Sequence, residues 1–94
     1  MDTFFVYILA SMKNGTLYIG LTNDLNRRII EHKTKQADGF TAKYDINQLV
    51  YFEEHQSYND AFKRERQLKK WKRDWKIRII EEQNPNWEDL AKDW

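Results

Sequence analysis

"GTLYIGLTNDLNRRIIEH", residues 15–32, is the stretch that sets the fold. "TLYIGL" (16–21) is apolar with β-branched and aromatic residues, the composition of a strand. Asn14-Gly15 stands just before it, the strongest short signal for a hairpin. "TND" (22–24) offers side chains that cap a helix start, and "LNRRIIEHKTK" (25–35) continues as that helix.

Upstream, "TFFVYILAS" (3–11) is apolar on both faces and predicts a central strand covered from both sides. An even-numbered hairpin loop makes opposed positions sum to an odd number, which puts Tyr7 and Tyr18 on one face. The expected loop covers 11–14 and sets Tyr7 directly opposite Tyr18; a two-residue Asn14-Gly15 turn would set Tyr7 opposite Thr22. Downstream, 36–47 reads as a loop with at most a helical turn, and "QLVYFEEH" (48–55) as a third strand. "SYND" (57–60) supplies capping chemistry for a helix over 59–71. Asp74 is expected to cap a further helix over 75–83, unless the two run together. Proline disfavours helix at the residue before it, so Asn84-Pro85 is the stop. The order β-β-α-β-α-α predicts an α+β fold, a three-stranded, mainly antiparallel sheet flanked by helices. One domain is expected over 1–94, with 81–94 as an acidic end-piece.

Cysteine is absent, which excludes a disulfide, a thiolate zinc site and a cysteine nucleophile. The N-terminal apolar run is short and has no basic leader, so neither a signal peptide nor a membrane span is expected, and the location expected is cytoplasmic. The net charge of +1 hides an asymmetry. Residues 61–80 carry nine basic and two acidic groups, whereas 81–94 carry one basic and five acidic. The basic block is either a solvated helix face or a footprint for a polyanion.

Polar groups also fall near the core. On the first helix Leu25, Ile29 and Gln36 make one stripe, flanked by Arg28 and His32 one turn apart. An arginine there needs a partner, because an unpaired buried charge is expensive. Glu65 lies between Ala61 and Leu68 on the face that would continue through Trp75 and Ile79. It reads as a structural ion pair or a metal ligand. Gly20 implies a close approach to its strand, or a sharp turn. Singly, each of these residues has an ordinary packing explanation.

Together they resemble the GIY-YIG nuclease superfamily, in particular its small stand-alone members related to the N-terminal nuclease domain of the bacterial excision-repair subunit UvrC. The matching text is "VYIL" (6–9), "LYIGLTNDLNRRIIEHK" (17–33), "LVYFEEH" (49–55), "AFKRERQLKKWKR" (61–73) and "NPNWEDL" (84–90). The resemblance implies catalytic roles for Tyr7, Tyr18, Arg28, His32 and Asn84, a metal ligand in Glu65 and a structural role for Gly20. Two departures stand out. Phe5 and Val6 replace the first two residues of the first triplet, and Leu21-Thr22 stands where some members carry a lysine.

The activity so implied is that of an endonuclease hydrolysing phosphodiester bonds with one Mg²⁺ or Mn²⁺, on DNA in preference to RNA, in repair or recombination. Glu65 would hold the ion, and Arg28 would grip a phosphate through two parallel donors. Either tyrosine could serve as general base if Arg28 and the metal lowered its pKa from ~10. His32 could relay a proton, or hold Tyr7 or the phosphate. Lys63, Arg64, Arg66, Lys69, Lys70, Lys72 and Arg73 would bind the nucleic acid, with strong salt dependence and little sequence information. With no recognised reader module appended, the expectation is structure- or end-directed action, a protein partner that supplies specificity, or weak unspecific binding, and no membrane is expected. The alternatives are a catalytically weak or inactive nucleic-acid-binding module on the same scaffold, or a protein-interaction domain whose basic helix docks an acidic partner and could even be covered by the acidic end-piece of the same molecule.

Overall fold

Strand β1 (Phe4–Ala10) is buried at every residue from Val6 onward because it is the middle strand of a sheet ordered β2-β1-β3. The computed structural model describes residues 2–37 and 39–94. β2 (Leu17–Thr22) pairs antiparallel with β1. The loop between them has four residues, 12–15, one position later than expected. Gly15 N–H donates to the Met12 carbonyl at 2.9 Å, and Asn14 takes the left-handed conformation at φ 59°. Ser11, just beyond the ladder, binds Thr16 twice, its N–H donating to the Thr16 carbonyl and its Oγ accepting from the Thr16 N–H, both at 3.0 Å. The register therefore moves by two residues. Tyr7 faces Gly20 and Leu9 faces Tyr18, so the tyrosines share a face but stand diagonally.

β3 (Gln48–His55) pairs antiparallel with the other side of β1. Ile8 pairs with Tyr51 but Leu9 with Leu49, which leaves Val50 as an extra residue in a bulge. The outer edge of β3 is closed by the C-terminal segment. Leu90 N–H donates to the Leu49 carbonyl at 2.8 Å, the Asp89 carboxylate accepts from Leu49 N–H at 3.1 Å, and the Asn84 amide donates to the Val50 carbonyl at 3.1 Å. Edge strands left bare invite further pairing, and these bonds occupy this one.

Alternation along the strands builds two cores. On one face Val6, Ile8, Ala10 and Ile19 pack against Ala61 and Leu68 of α3 (Tyr58–Lys70), Ile80 of α4 (Arg73–Gln83) and Trp87. On the other Tyr7, Leu9 and Leu49 pack against Leu25 and Ile29 of α1 (Leu25–Lys33), with Ile46 and Ala91. The short α2 (Gly39–Lys43) lies beside α1.

Three expectations about the helices are corrected. α1 ends at Lys33, so Gln36 is exposed beyond its end and takes no part in the stripe. α3 and α4 do not run together, because Trp71 and Lys72 are extended, with ψ of 149° and 151°. Lys72 occupies the N-cap position of α4 without a side-chain bond, and Asp74 falls in the first turn instead. The break rephases α4, so Ile80 is buried while Trp75 stays half exposed, off the Ala61–Leu68 line.

α3 is tied to β3 through Glu53. Arg64 Nε donates to its carboxylate at 2.8 Å, His55 Nε2 lies 3.0 Å from the same oxygen, and the Tyr51 hydroxyl donates to the other. Burial alone would raise the Glu53 pKa. The bonds from Tyr51, His55 and Arg64 outweigh it and hold the carboxyl below its ordinary range. Burial, then Glu53, pushes Tyr51 up to about 12.

Two outcomes are expected. A carboxyl depressed by folding contributes stability above its unfolded pKa of ~4.3 and loses it as pH falls through the folded value, so acid should destabilise the wild type more than Glu53→Gln, as read from urea denaturation at neutral and acid pH. Asn84→Ala orphans the Val50 carbonyl and two backbone groups of Glu88, and should cost about 2–3 kcal/mol in the same denaturation assay.

Candidate active site

The site begins where Tyr7 meets Gly20. A Cβ at residue 20 would lie 2.3 Å from both Cζ and Oη of Tyr7, so only glycine lets that ring lie against β2. This is the close approach that Gly20 implied. The phenol lies 3.1 Å from His32 Nε2, and His32 Nδ1 lies 3.0 Å from Thr41 Oγ1. Tyr18 completes the group, its ring 5.4 Å from His32 and 6.5 Å from Tyr7. Tyr7 and His32 are each 1% exposed, whereas Tyr18 is only partly buried.

Arg28 joins from α1. Its Nη1 donates to Glu31 at 3.1 Å, and Arg27 Nε donates to the other Glu31 oxygen at 3.3 Å. The bond to Glu31, then one to the Tyr7 phenol, raises the Arg28 pKa, and Arg28 in turn lowers that of Glu31. The Tyr7 phenol and the two His32 ring nitrogens form a buried chain to Thr41, in which the imidazole tautomer sets which group donates at each link. Arg28 favours phenolate at Tyr7, as the sequence suggested, but burial and the neighbouring Tyr18 prevail and push the pKa up to about 12. At neutral pH Tyr7 keeps its proton.

Glu65 approaches differently. Its helix covers the opposite face of the sheet, where its side chain, 13% exposed, pairs with Lys69 at 3.2 Å. Its charge still reaches Tyr7, as the weakest of the influences on that phenol. The two faces communicate around β2, an edge strand. A cleft of about 500 Å³ there is lined by Arg27, Arg28 and Glu31 of α1, residues 21–24, and Phe4 and Tyr58. Glu65 is not among its walls. Among the described residues no three His, Asp or Glu side chains gather into a metal cage.

Asn84 is not brought to this group. It is 5% exposed at the other edge of the sheet, where its amide donates to the Val50 and Glu88 carbonyls and accepts from Glu88 N–H. Several cations of the basic block also have partners within the molecule. Arg64 is bound to Glu53, Lys69 to Glu65, and Arg73 donates to the carbonyls of Asn14 and Gly15 at 2.7 and 2.6 Å. Lys63, Lys70 and Lys72 are exposed and enter no ion pair among the described residues. Of the acidic end-piece, Asp89 pairs instead with Lys33 of α1 at 2.5 Å. Sequence reasoning missed Glu31 and Thr41. Glu31 had a signal in its spacing from Arg27 and Arg28, whereas Thr41 had none.

This arrangement, two phenols, an imidazole and a guanidinium gathered over one glycine, sits in a stretch that matches a known domain. Residues 3–78 match the GIY-YIG catalytic domain. The chain belongs to the GIY-YIG family. The match bears out the resemblance and implies nuclease activity on nucleic acid. It ends before Asn84. A UPF0213 protein of Staphylococcus saprophyticus is 37% identical over 82 residues, covering 87% of this chain and 99% of its own. A UPF0213 protein of Staphylococcus aureus shares the same identity and coverage. The solution NMR structure of a UPF0213 protein from Bacillus halodurans has the same fold, with a TM-score of 0.58 at 27% identity, covering 97% of this chain and 96% of that one. No helix among the described residues is long and apolar enough to cross a membrane.

In this GIY-YIG site, Gly20→Ala should displace the Tyr7 ring and cost about 1–3 kcal/mol in denaturant midpoint analysis, the usual penalty for overfilling a packed core. Gly39→Ala meets open space and serves as the control.

Proposed function

We propose that the protein is a metal-dependent endonuclease acting on DNA in repair or recombination. The observation that carries this reading is the convergence of Tyr7, Tyr18, Arg28 and His32 over Gly20 in a GIY-YIG chain. Phosphodiester hydrolysis needs an activated water and donors aimed at the charge that develops on phosphorus oxygens. Arg28 supplies two parallel donors from the wall of the cleft. Tyr18, the less buried phenol, faces the water. Tyr7, protonated and enclosed, is a positioning residue that sets His32 and Arg28. Its high pKa argues against a base role in the free protein. Asn84 acts through the fold, by holding β3.

Glu65 fits a single hard cation. Mg²⁺ accepts one carboxylate together with waters and substrate phosphate, so the absence of a cage among the described residues is compatible with it. When bound, the ion would supply Lewis acidity toward the phosphate. Lys69 is then the partner Glu65 gives up. Lys63, Arg66, Lys70 and Lys72 supply the phosphate-binding surface, with Arg64 and Arg73 retained chiefly for the fold. A protein partner sets specificity.

Purified protein should cut nicked, branched or single-stranded DNA when given Mg²⁺ or Mn²⁺. Arg28→Lys keeps the charge but loses the fork, and should slow cutting by about 10²–10³-fold. Glu65→Ala should abolish it, and cutting that survives this change would overturn the assignment. Salt-sensitive binding without cutting under any metal would leave a nucleic-acid-binding module on the same scaffold.

A further inference from the structure

Beside the cleft, α3 carries an aromatic column with no part in either core. Tyr58, Phe62 and Arg66 stand at successive i, i+4 positions on one side of the helix. The Tyr58 and Phe62 rings stack with centroids 5.9 Å apart and planes 20° apart. The Arg66 guanidinium lies 5.6 Å from the Phe62 centroid, and Phe4 meets Tyr58 edge-on at 5.7 Å. Tyr58 is 53% and Phe62 40% exposed, so these contacts leave large ring surfaces in water. Neighbouring exposed apolar groups of this kind mark a binding surface.

The column ends at the cleft, because Tyr58 lines the same hollow as Arg27 and Arg28. The acids nearby are already engaged. Asp24 caps α1 by accepting from the Arg27 N–H, and Glu31 is bound to both arginines. Flat aromatic surface thus runs between cations, Arg66 at one end and the α1 arginines at the other. That pattern complements a strand of nucleic acid, which alternates flat bases with anionic phosphates.

We propose that Tyr58 and Phe62 form a stacking platform for an unpaired base of the strand whose phosphate Arg28 grips, so that the preferred substrate is single-stranded or locally unpaired. The proposal rests on the nuclease reading and deepens it. A base within a duplex has its faces covered by its neighbours and cannot use the platform. A base freed from pairing can extend the column from Tyr58. Phosphate contacts alone give no preference for an unpaired strand over the more densely charged duplex, so the platform is what favours the strand.

The test is fluorescence anisotropy at low salt in EDTA, which prevents cutting, with a labelled oligo-dT strand and a labelled duplex of equal length. Replacing both rings, Tyr58→Leu with Phe62→Leu, keeps apolar bulk but removes the π surfaces. It should weaken single-strand binding by at least about tenfold and duplex binding by less than about twofold. The exchange Tyr58→Phe with Phe62→Tyr should bind as wild type does. Phe62→Leu alone, expected to act in the same direction, serves if the double leucine variant does not fold. Single-strand affinity unchanged by the leucines overturns the platform while leaving the nuclease reading intact, and the patch then belongs to a protein partner. Equal losses on strand and duplex also overturn it. Wild-type protein that binds neither probe removes the nuclease reading and the platform with it.

Discussion

The Tyr7 ring lies against the backbone of Gly20, in space that any other side chain at position 20 would fill. From that contact the phenol reaches His32 and Arg28, and His32 reaches Thr41 of α2. One close approach therefore links β1, β2, α1 and α2 into a single polar group inside an apolar layer. Each buried polar atom in it has a partner, as a low-dielectric setting requires. The same burial decides the chemistry. It keeps Tyr7 protonated, with its pKa pushed up to about 12 against the pull of Arg28.

The two edges of the sheet are treated in opposite ways. Bonds from Asn84, Asp89 and Leu90 close the β3 edge, and the Val50 bulge provides the carbonyl that Asn84 holds. At the β2 edge, α1 and α3 come around from opposite faces and leave a cleft between them. Arg28 of α1 lines that cleft, whereas Glu65 of α3 lies outside its walls. Among the described residues no further strand pairs with that outer edge of β2.

Charge on α3 and α4 serves the fold as well as any ligand. Arg64 clamps β3 through Glu53, and also lies over the Trp71 ring at 5.1 Å. Arg73 fixes the hairpin loop by holding two of its carbonyls. Counting cations along the basic block overstates what is free to meet phosphate, because Arg64, Lys69 and Arg73 are held by neighbours within the fold. Exposed lysines such as Lys63, Lys70 and Lys72 are the part of the block that remains a solvated surface.

The element order, the third strand at 48–55 and the shared face of Tyr7 and Tyr18 were legible from local rules, since strand alternation and capping depend only on near neighbours. The hairpin register was not, because the two hydrogen bonds between Ser11 and Thr16 close the hairpin just beyond the last ladder pair, Ala10–Leu17. The break at Trp71–Lys72 was equally hidden, and with it the exposure of Trp75. Of the site, the sequence by itself determined which chemical groups are present and which could share a helix turn or a sheet face. Only the tertiary structure decided that His32 bridges Tyr7 to Thr41, that Glu65 comes from the far side of the sheet, and that Asn84 serves the β3 edge. Those are meetings between residues far apart in the chain. Their geometry follows from how whole layers pack, which no short window of sequence contains.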